Sequence, residues 1–387
     1  MRTASRPLID WASPEQTEFY DSVHRLALDL EDDTRDRDPD GVFSRESWNR
    51  LGRFGIHGLP APEEFGGGGT DVVTTLLALE ALGYGCTDGG LLFSINAHMW
   101  TSVIPLWHYG TEAQRERWLR GLCNGDLIGC HTITEPEAGS DAFAMKSHAR
   151  KADGGYVING RKTFITNAPV ADLLIVFART SDGIGPFGIS AFLVEAGSPG
   201  LTVGPHTNKM GLRTSPMADV VLDDCFVQES AMLGRPGQGG EIFQTSMRWE
   251  RACIMSTQVG TMRRTMEACV DYSRHRRQFG KPIGKYESIA DKIANMKIAL
   301  DASRALVLRV GWLMDQGAET LVEAAVAKTF VSEAAVRTHM DAIQIHGGYG
   351  YMTESEIERG LRDAIGGTIY SGTSEIQRRI IARGLGL

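Results

Sequence analysis

Hydrophobic positions along the chain change their period twice. In residues 13–124 they recur at helical spacing: Phe19, Val23, Leu26 and Leu30 share a face, behind Ser13 as N-cap and Pro14 in the first turn. Residues 29–40 are acidic and read as a solvated edge. Residues 59–70, LPAPEEFGGGGT, predict a connector, since the prolines block a helix and four consecutive glycines free the backbone. Helical patterning resumes at 72–82 and again through Trp118. Between these, residues 91–107 come nearest to a membrane span, but Asn96, His98, Thr101 and Ser102 interrupt them and Pro105 predicts their end, so they read as a buried helix.

In residues 125–234 the signal switches to strand. Tyr156-Val157-Ile158 and Thr163-Phe164-Ile165-Thr166 flank Asn159-Gly160, the dipeptide that a type I′ hairpin requires because both central residues take positive φ. Residues 173–178, 188–194 and 218–222 are further short β-rich runs separated by Gly, Pro, Asp and Ser clusters. From Glu241 the period returns to 3.6: Ile289, Ile293, Met296, Leu300, Ser303, Val307, Val310 and Met314 line one long helix, Met262, Met266, Cys269 and Val270 an earlier one, and 321–345 a third. The expectation is an α+β multidomain chain with a helical domain over 1–124, a β domain over 125–235 and a helical bundle over 236–387.

Composition narrows the chemistry. A chain of 387 residues, 42% hydrophobic and 23% charged, can fill several cores. Lys and Arg number 40 against 48 Asp and Glu, which argues against nucleic acid or an anionic bilayer as partner. Residues 241–285 run against that balance, with nine Lys or Arg to four Asp or Glu, a local patch suited to phosphates. The six cysteines have neither CxxC spacing nor nearby histidine pairs, so neither a metal site nor a disulfide framework is indicated. The N-terminus lacks an apolar h-region and no 18-residue apolar run occurs, which predicts a cytoplasmic protein with no membrane span.

No GxxxxGK[ST], no GxGxxG between a strand and a helix, and no GxSxG occurs. What stands out is TEPEAGSD at 134–141, whose hydroxyls and Gly-relaxed backbone suit a flat heterocycle or a phosphate, or else form a plain surface turn. With PAPEEFGG, NGRKTFITN, RRQFGKPI, QIHGGYG and IYSGTSEIQRRIIAR, in that family's order from Pro60 to Arg383, the chain resembles the acyl-CoA dehydrogenase family over nearly its whole length. The resemblance implies an FAD enzyme with a helical domain, a β-barrel-like domain and a four-helix bundle, usually a homotetramer. It places flavin-ring contacts on Thr134, Gly139, Ser140 and Thr166, with Phe164 where the family often has Trp. Phe covers the flavin face but lacks the indole donor. It assigns the pyrophosphate and adenosine side to Arg276, Gln278 and Phe279 and to Gln344, Gly347 and Gly348, the last three across a subunit interface, and closes Thr373 and Glu375 over the flavin. The bland alternatives are a core role for Phe279 and a tight turn at 347–350.

The family's reaction needs a base to take a thioester α-proton while a β-hydride leaves for the flavin. Many members carry a Glu immediately before the GTS of the C-terminal motif; here that residue is Ser371, followed by Gly372. A second branch carries the base on a bundle helix one residue before an Arg, and Glu250-Arg251 stands at that place. Glu250 is therefore the candidate base, with Ser140, Arg248, Arg251, Ser371 and Gly372 as substrate contacts. Burial should raise its pKa and Arg251 should lower it. Arg248 replaces an acidic residue that CoA-binding members often have near the pantetheine. SINAHMWTSVIPLWHYGT, ITNAPVAD, the Trp249-Glu250-Arg251 segment and IIARGLGL are similar to the branch that oxidises prolyl groups on peptidyl carrier proteins. The substrate expected is an acyl thioester on a phosphopantetheinyl carrier protein, with CoA as the alternative tether and a flavoprotein or oxygen as electron acceptor. A basic rim drawn from Arg248, Arg263, Arg264 and Arg274 would receive an acidic carrier. A flavin monooxygenase or a non-catalytic flavoprotein scaffold on the same fold are the rivals.

Overall fold

The computed structural model describes residues 12–30, 33–181 and 185–387. The N-terminal stretch 1–11, read above for a leader, and part of the acidic edge lie outside these residues. Helices α1 (Pro14–Leu28), α2 (Thr34–Arg37), α3 (Arg45–Phe54), α4 (Val72–Gly85), α5 (Gly89–His98), α6 (Ile104–Tyr109) and α7 (Glu112–Cys123) come first. Ser13 caps α1 as expected, in a reciprocal box with Gln16. Strands follow: β1 (Gly129–Thr132), β2 (His148–Ala152), β3 (Gly155–Thr166), β4 (Leu173–Arg179), β5 (Ile189–Glu195), β6 (Leu201–Val203), β7 (Met217–Gln228) and β8 (Met232–Leu233). The chain ends in α8 (Gly239–Cys253), α9 (Met255–His275), a two-stranded ribbon β9 (Arg277–Gln278) and β10 (Lys281–Pro282), α10 (Glu287–Asp315), α11 (Leu321–His346), α12 (Gly348–Tyr351), α13 (Ile357–Gly366) and α14 (Ser374–Gly384).

The sheet runs β6-β7-β3-β2-β4-β5-β8, with β1 beside β4. Most neighbours are antiparallel, while β1 and β4 are parallel. One face buries Ile158, Val176, Phe192, Val220 and Cys225 against each other. The other buries Ile175, Phe177 and Ile189 against Leu106, Leu119 and Ile242, so α6, α7 and α8 cover it. The N-terminal helices and the bundle share a larger core, in which Leu76, Leu79, Leu82 and Trp100 meet Trp249, Met255, Val259, Val307 and Val331. A buried, doubly bonded pair between Arg304 of α10 and Glu80 of α4 fixes the register of that contact.

Three local expectations are corrected. Asn159-Gly160 is not a hairpin turn: β3 runs straight through it, and the dipeptide makes a bulge against β7 between Ile158 and Gly160. Glycine is needed there for close approach, since a Cβ would come within 2.0 Å of Ser147 Oγ. Pro105 does not end its helix either. A π turn over Met99–Val103 precedes it, and the Ile104 N–H reaches back to Met99 O. Widening the helix there makes room for a ring that would otherwise press on the carbonyl four residues back. The acidic edge is only partly solvated, because Asp38 is buried in an ion pair with Arg362 at 2.7 Å.

Candidate active site

Glu250 sits in the last turn of α8. That helix starts hard against the sheet: a Cβ on Gly239 would meet Ile189 O at 2.8 Å, and one on Gly240 would meet the Pro186 side chain at 2.4 Å. Ile242, Ser246, Trp249 and Cys253 are buried along it, and Ile254 breaks it from α9 while still donating to Glu250 O at 2.9 Å. The Glu250 side chain is enclosed, at 6% exposure, which excludes a solvated helix glutamate. Burial lifts its pKa to about 7, against the opposing pull of the Ser371 hydroxyl, Arg251 and Lys328. A carboxyl poised there can hold or give up a proton near neutral pH.

Facing it is the turn Ser371-Gly372, with φ of 57° and 88°. Three side chains grip its carbonyls. Arg251 Nε donates to Ser371 O at 3.2 Å, Gln377 Nε2 to Ser371 O at 3.0 Å and to Gly372 O at 2.8 Å, and Lys328 Nζ to Gly372 O at 2.7 Å. Arg251 thus serves the turn, and no ion pair joins it to Glu250 among the described residues. Thr373 caps α14, accepting from Ile376 N, and Tyr370 packs on Phe93 with ring centres 4.6 Å apart. The Ser371 hydroxyl is buried and has no hydrogen bond of ordinary geometry. Glu375, one turn on, is exposed.

The loop 134–141 is pinned from below. Glu135 accepts from the backbone of Lys146 at 2.6 Å and Ser147 at 3.0 Å and pairs with the buried Lys162 ammonium at 2.8 Å. Burial alone would raise its pKa; Lys162 and the peptide donors bring it below the usual value. With that acid used as an anchor, Thr134 stays half-buried and Gly139 and Ser140 are exposed. Next to it β3 shifts register between Lys162 and Ile165, and Phe164 turns out with φ 57° and 64% exposure. Thr166 closes the strand, half-buried. An exposed aromatic face beside three hydroxyls, Thr134, Ser140 and Thr166, fits the planar, polar-edged ring of a flavin.

The remaining predicted cofactor residues form a second group at the far end of the bundle. Gln278 pairs with Lys281 across β9 and β10, and Tyr286 Oη donates to Gln278 O at 3.0 Å. Phe279, at φ 49° and 93% exposure, is no core residue. The Arg276 guanidinium lies 5.9 Å from the Tyr349 ring, which ties it to the end of α11, where Gln344, Gly347 and Gly348 are exposed. Neither glycine has an atom within 4 Å of where a Cβ would stand. No hydrogen bond, ion pair or ring contact joins this group to Thr134, Phe164 or Glu250 among the described residues.

The predicted basic rim is corrected. Arg263 is buried, bonded to Glu267 at 3.0 Å and lying over the Tyr84 ring. Arg264 donates to Gly83 O, Tyr84 O and Cys86 O at the end of α4. Both hold helices together; Arg263 is enclosed, while Arg264 is half-buried with one guanidinium nitrogen spent on α4 carbonyls. Arg248 is half-buried beside His108, whose pKa burial and the Arg248 charge both depress; Arg274 is exposed. Sequence reading missed Lys328, Gln377, Lys162 and Glu135. A signal for Lys328 existed: it interrupts the buried stripe Ala324, Ala327, Val331 and Ala335.

Comparison with known proteins follows the same lines. Residues 13–126, 130–225 and 237–386 match the N-terminal, middle and C-terminal domains of acyl-CoA dehydrogenases. The L-prolyl-[peptidyl-carrier protein] dehydrogenase of Serratia sp. (strain ATCC 39006) is 40% identical over 376 residues, 97% of each chain. Among solved structures, the prolyl acyl carrier protein oxidase AnaB superposes with a TM-score of 0.96 at 42% identity, covering 97% of this chain and 100% of that one. PigA with FAD and proline superposes at 0.95 with 40% identity, covering 97% and 98%. By its three matched domains, its fold and these identities, the chain belongs to the acyl-CoA dehydrogenase family.

Proposed function

We infer that this chain is an FAD-dependent dehydrogenase of an acyl thioester held on the phosphopantetheine arm of a carrier protein, with a prolyl group as the favoured acyl. The observation that carries the base assignment is the enclosed Glu250 carboxyl, with a pKa of about 7, opposite the Ser371 turn. Glu250 takes the α-proton of the thioester, whose acidity comes from delocalisation into the carbonyl. FAD, when bound, supplies the hydride acceptor. Thr134, Gly139, Ser140, Phe164 and Thr166 hold and cover its ring, and Thr373 and Glu375 lie on the closing side. Arg251 and Gly372 shape the wall against which the thioester lies, with Ser140 and Arg248 nearer the carrier arm.

Arg276, Gln278 and Phe279 take the pyrophosphate and adenosine side, joined by Gln344, Gly347 and Gly348 from across a subunit boundary in a homotetramer. On this reading the units 1–124, 125–235 and 236–387 meet at the flavin. A flavoprotein or oxygen removes the electrons in the cytoplasm. Support for the carrier comes from the prolyl-carrier relatives at about two-fifths identity over nearly the whole chain. A CoA thioester is the second reading, favoured by one observation: Arg263 and Arg264 are used inside the molecule, so the basic rim left for an acidic carrier is thin.

Anaerobic flavin reduction with matched prolyl-carrier and prolyl-CoA thioesters tests this. The carrier form is expected to reduce the flavin faster, with an advantage that shrinks as salt is added. Efficient reduction by an ordinary fatty acyl-CoA, with no response to a carrier-bound substrate, overturns it.

A further inference from the structure

Lys328 lies in the middle of α11 with no exposed surface. Its neighbours one turn away, Ala324, Ala325, Val331 and Ser332, are buried, and the one hydroxyl among them, on Ser332, donates to Thr329 O, so no side chain of its own helix is bonded to it among the described residues. The ammonium donates to Gly372 O at 2.7 Å and lies 5.8 Å from the centre of the Tyr370 ring. No carboxylate pairs with it among the described residues. Enclosing an ammonium in this way costs several kcal/mol relative to an apolar side chain of the same length, so packing alone does not account for it.

The charged groups around it come from three elements. Glu250 and Arg251 face it from α8, Glu375 from α14, and Glu333 stands on α11 itself. Of the three acids only Glu250 is buried; Glu375 stands in solvent and Glu333 is occupied by Arg378. Around Glu250 the facing groups are the Ser371 hydroxyl, Arg251, Lys328 and Tyr370. Arg251 has its Nε committed to Ser371 O. Lys328 and Arg251 are thus the two cations that touch the turn opposite the base, and Lys328 is the one with no exposed surface and no acid of its own.

We propose that Lys328 is the positioning residue of the catalytic base: it fixes the Ser371-Gly372 turn and supplies the counter-charge that keeps Glu250 ionised in an enclosed site. This rests on the reading of Glu250 as the base. The two groups support each other. Burial pulls the Lys328 pKa down to about 8 while Glu250 holds it up, and burial lifts Glu250 to about 7 while the Ser371 hydroxyl, Arg251 and Lys328 hold it down. During the reaction the substrate α-proton moves to a Glu250 oxygen, and Lys328 keeps its three protons throughout. Its contribution is to enlarge the share of Glu250 that is ionised and ready at neutral pH.

The test reads the Glu250 carboxyl without turnover. In the FAD-loaded protein, the infrared carbonyl stretch of protonated Glu250 is identified by its loss in Glu250→Gln and titrated against pH. Lys328→Met and Lys328→Gln should both move the midpoint upward, and Lys328→Arg should restore most of the shift. Gln keeps a donor for Gly372 O without the charge, so the Gln and Arg variants give the reading even if Met does not fold. The pH profile of anaerobic flavin reduction by prolyl-carrier thioester should shift by the same amount. Unmoved midpoints in the Met and Gln variants overturn the role of Lys328. If Glu250→Gln still reduces flavin at near wild-type rate, the base assignment falls instead, and the infrared titration still decides whether the two side chains are coupled.

Discussion

The turn at Ser371 and the corner at Phe279 are both left-handed bends at residues with a Cβ, and the rest of the molecule treats them in opposite ways. At Ser371, φ 57°, two successive carbonyls are gripped by Arg251, Gln377 and Lys328. At Phe279, φ 49°, the ring is 93% exposed and the local carbonyls are held by side chains close by in the chain, Tyr286 on Gln278 O and Phe279 O and Arg277 on Gly280 O. A strained bend costs on the order of 1–3 kcal/mol and persists where its surroundings over-determine it. The first bend is over-determined by the chain itself. The second is held by its own short ribbon and the turn after it, with the ring left open, which is the pattern of a site finished by a ligand or by another copy of the chain.

The sharpest break of this contrast is Glu250→Gln. Its amide cannot accept the α-proton, so anaerobic stopped-flow should show flavin reduction slower by about a thousandfold, with FAD content and fold retained. Next is the anchor beneath the loop 134–141. Lys162→Met leaves Glu135 buried without its cation and should cost about 3–5 kcal/mol in denaturant unfolding, whereas Glu135→Gln with Lys162→Met should recover much of that.

The enclosed side should also be the pH-sensitive side. His98 and His339 are buried and His131 is half-buried, all three with pKa values pushed down to about 4 by desolvation. Unfolded, each titrates near 6.5, so as pH falls from about 6.5 to about 4 the unfolded state takes up protons first and stability is lost. Glu250 works the other way. Its pKa is raised from 4.5 to about 7, so its stabilising share is present below 4.5 and lost as pH rises through 7. Glu250→Gln should therefore melt higher than wild type at pH 8, with a gap that closes by pH 5, and calorimetry at the two pH values checks it. The smallest effect on stability belongs to the open corner. Phe279→Ser should leave unfolding within about 0.5 kcal/mol yet weaken FAD retention and make the oligomer dissociate more readily by sedimentation, through linkage between cofactor and assembly. Unchanged sedimentation and FAD content would show that the exposed ring serves neither.

Much of this was legible because periodicity and local rules act over a few residues. The Ser13 cap, the long helices ending near Met314 and Ile345, and the strands at 173–178 and 188–194 all follow from spacing and capping. Asn159-Gly160 misled because the same dipeptide serves a hairpin or a bulge, and the choice was made by β7 pairing along the whole of β3 and by Ser147 pressing on Gly160. Pro105 misled because a π turn one step earlier absorbed its ring. The arginines at 263 and 264 look like a docking patch in the sequence, and only the packing of α9 against α4 uses them internally.

By itself, then, the sequence determined the order of helical and strand regions, the family, and the absence of a glutamate at 371 beside a Glu-Arg pair at 250 and 251. Those are properties of spacing and residue identity. The tertiary structure alone decided that Glu250 is enclosed, that Arg251 bonds the turn while its charge also bears on the carboxylate, and that the charge of a lysine 78 positions further along the chain bears on it too. A pKa depends on burial and on charges brought close in space. None of these is encoded by neighbours along the chain, so no reading of α8 on its own would have found Lys328.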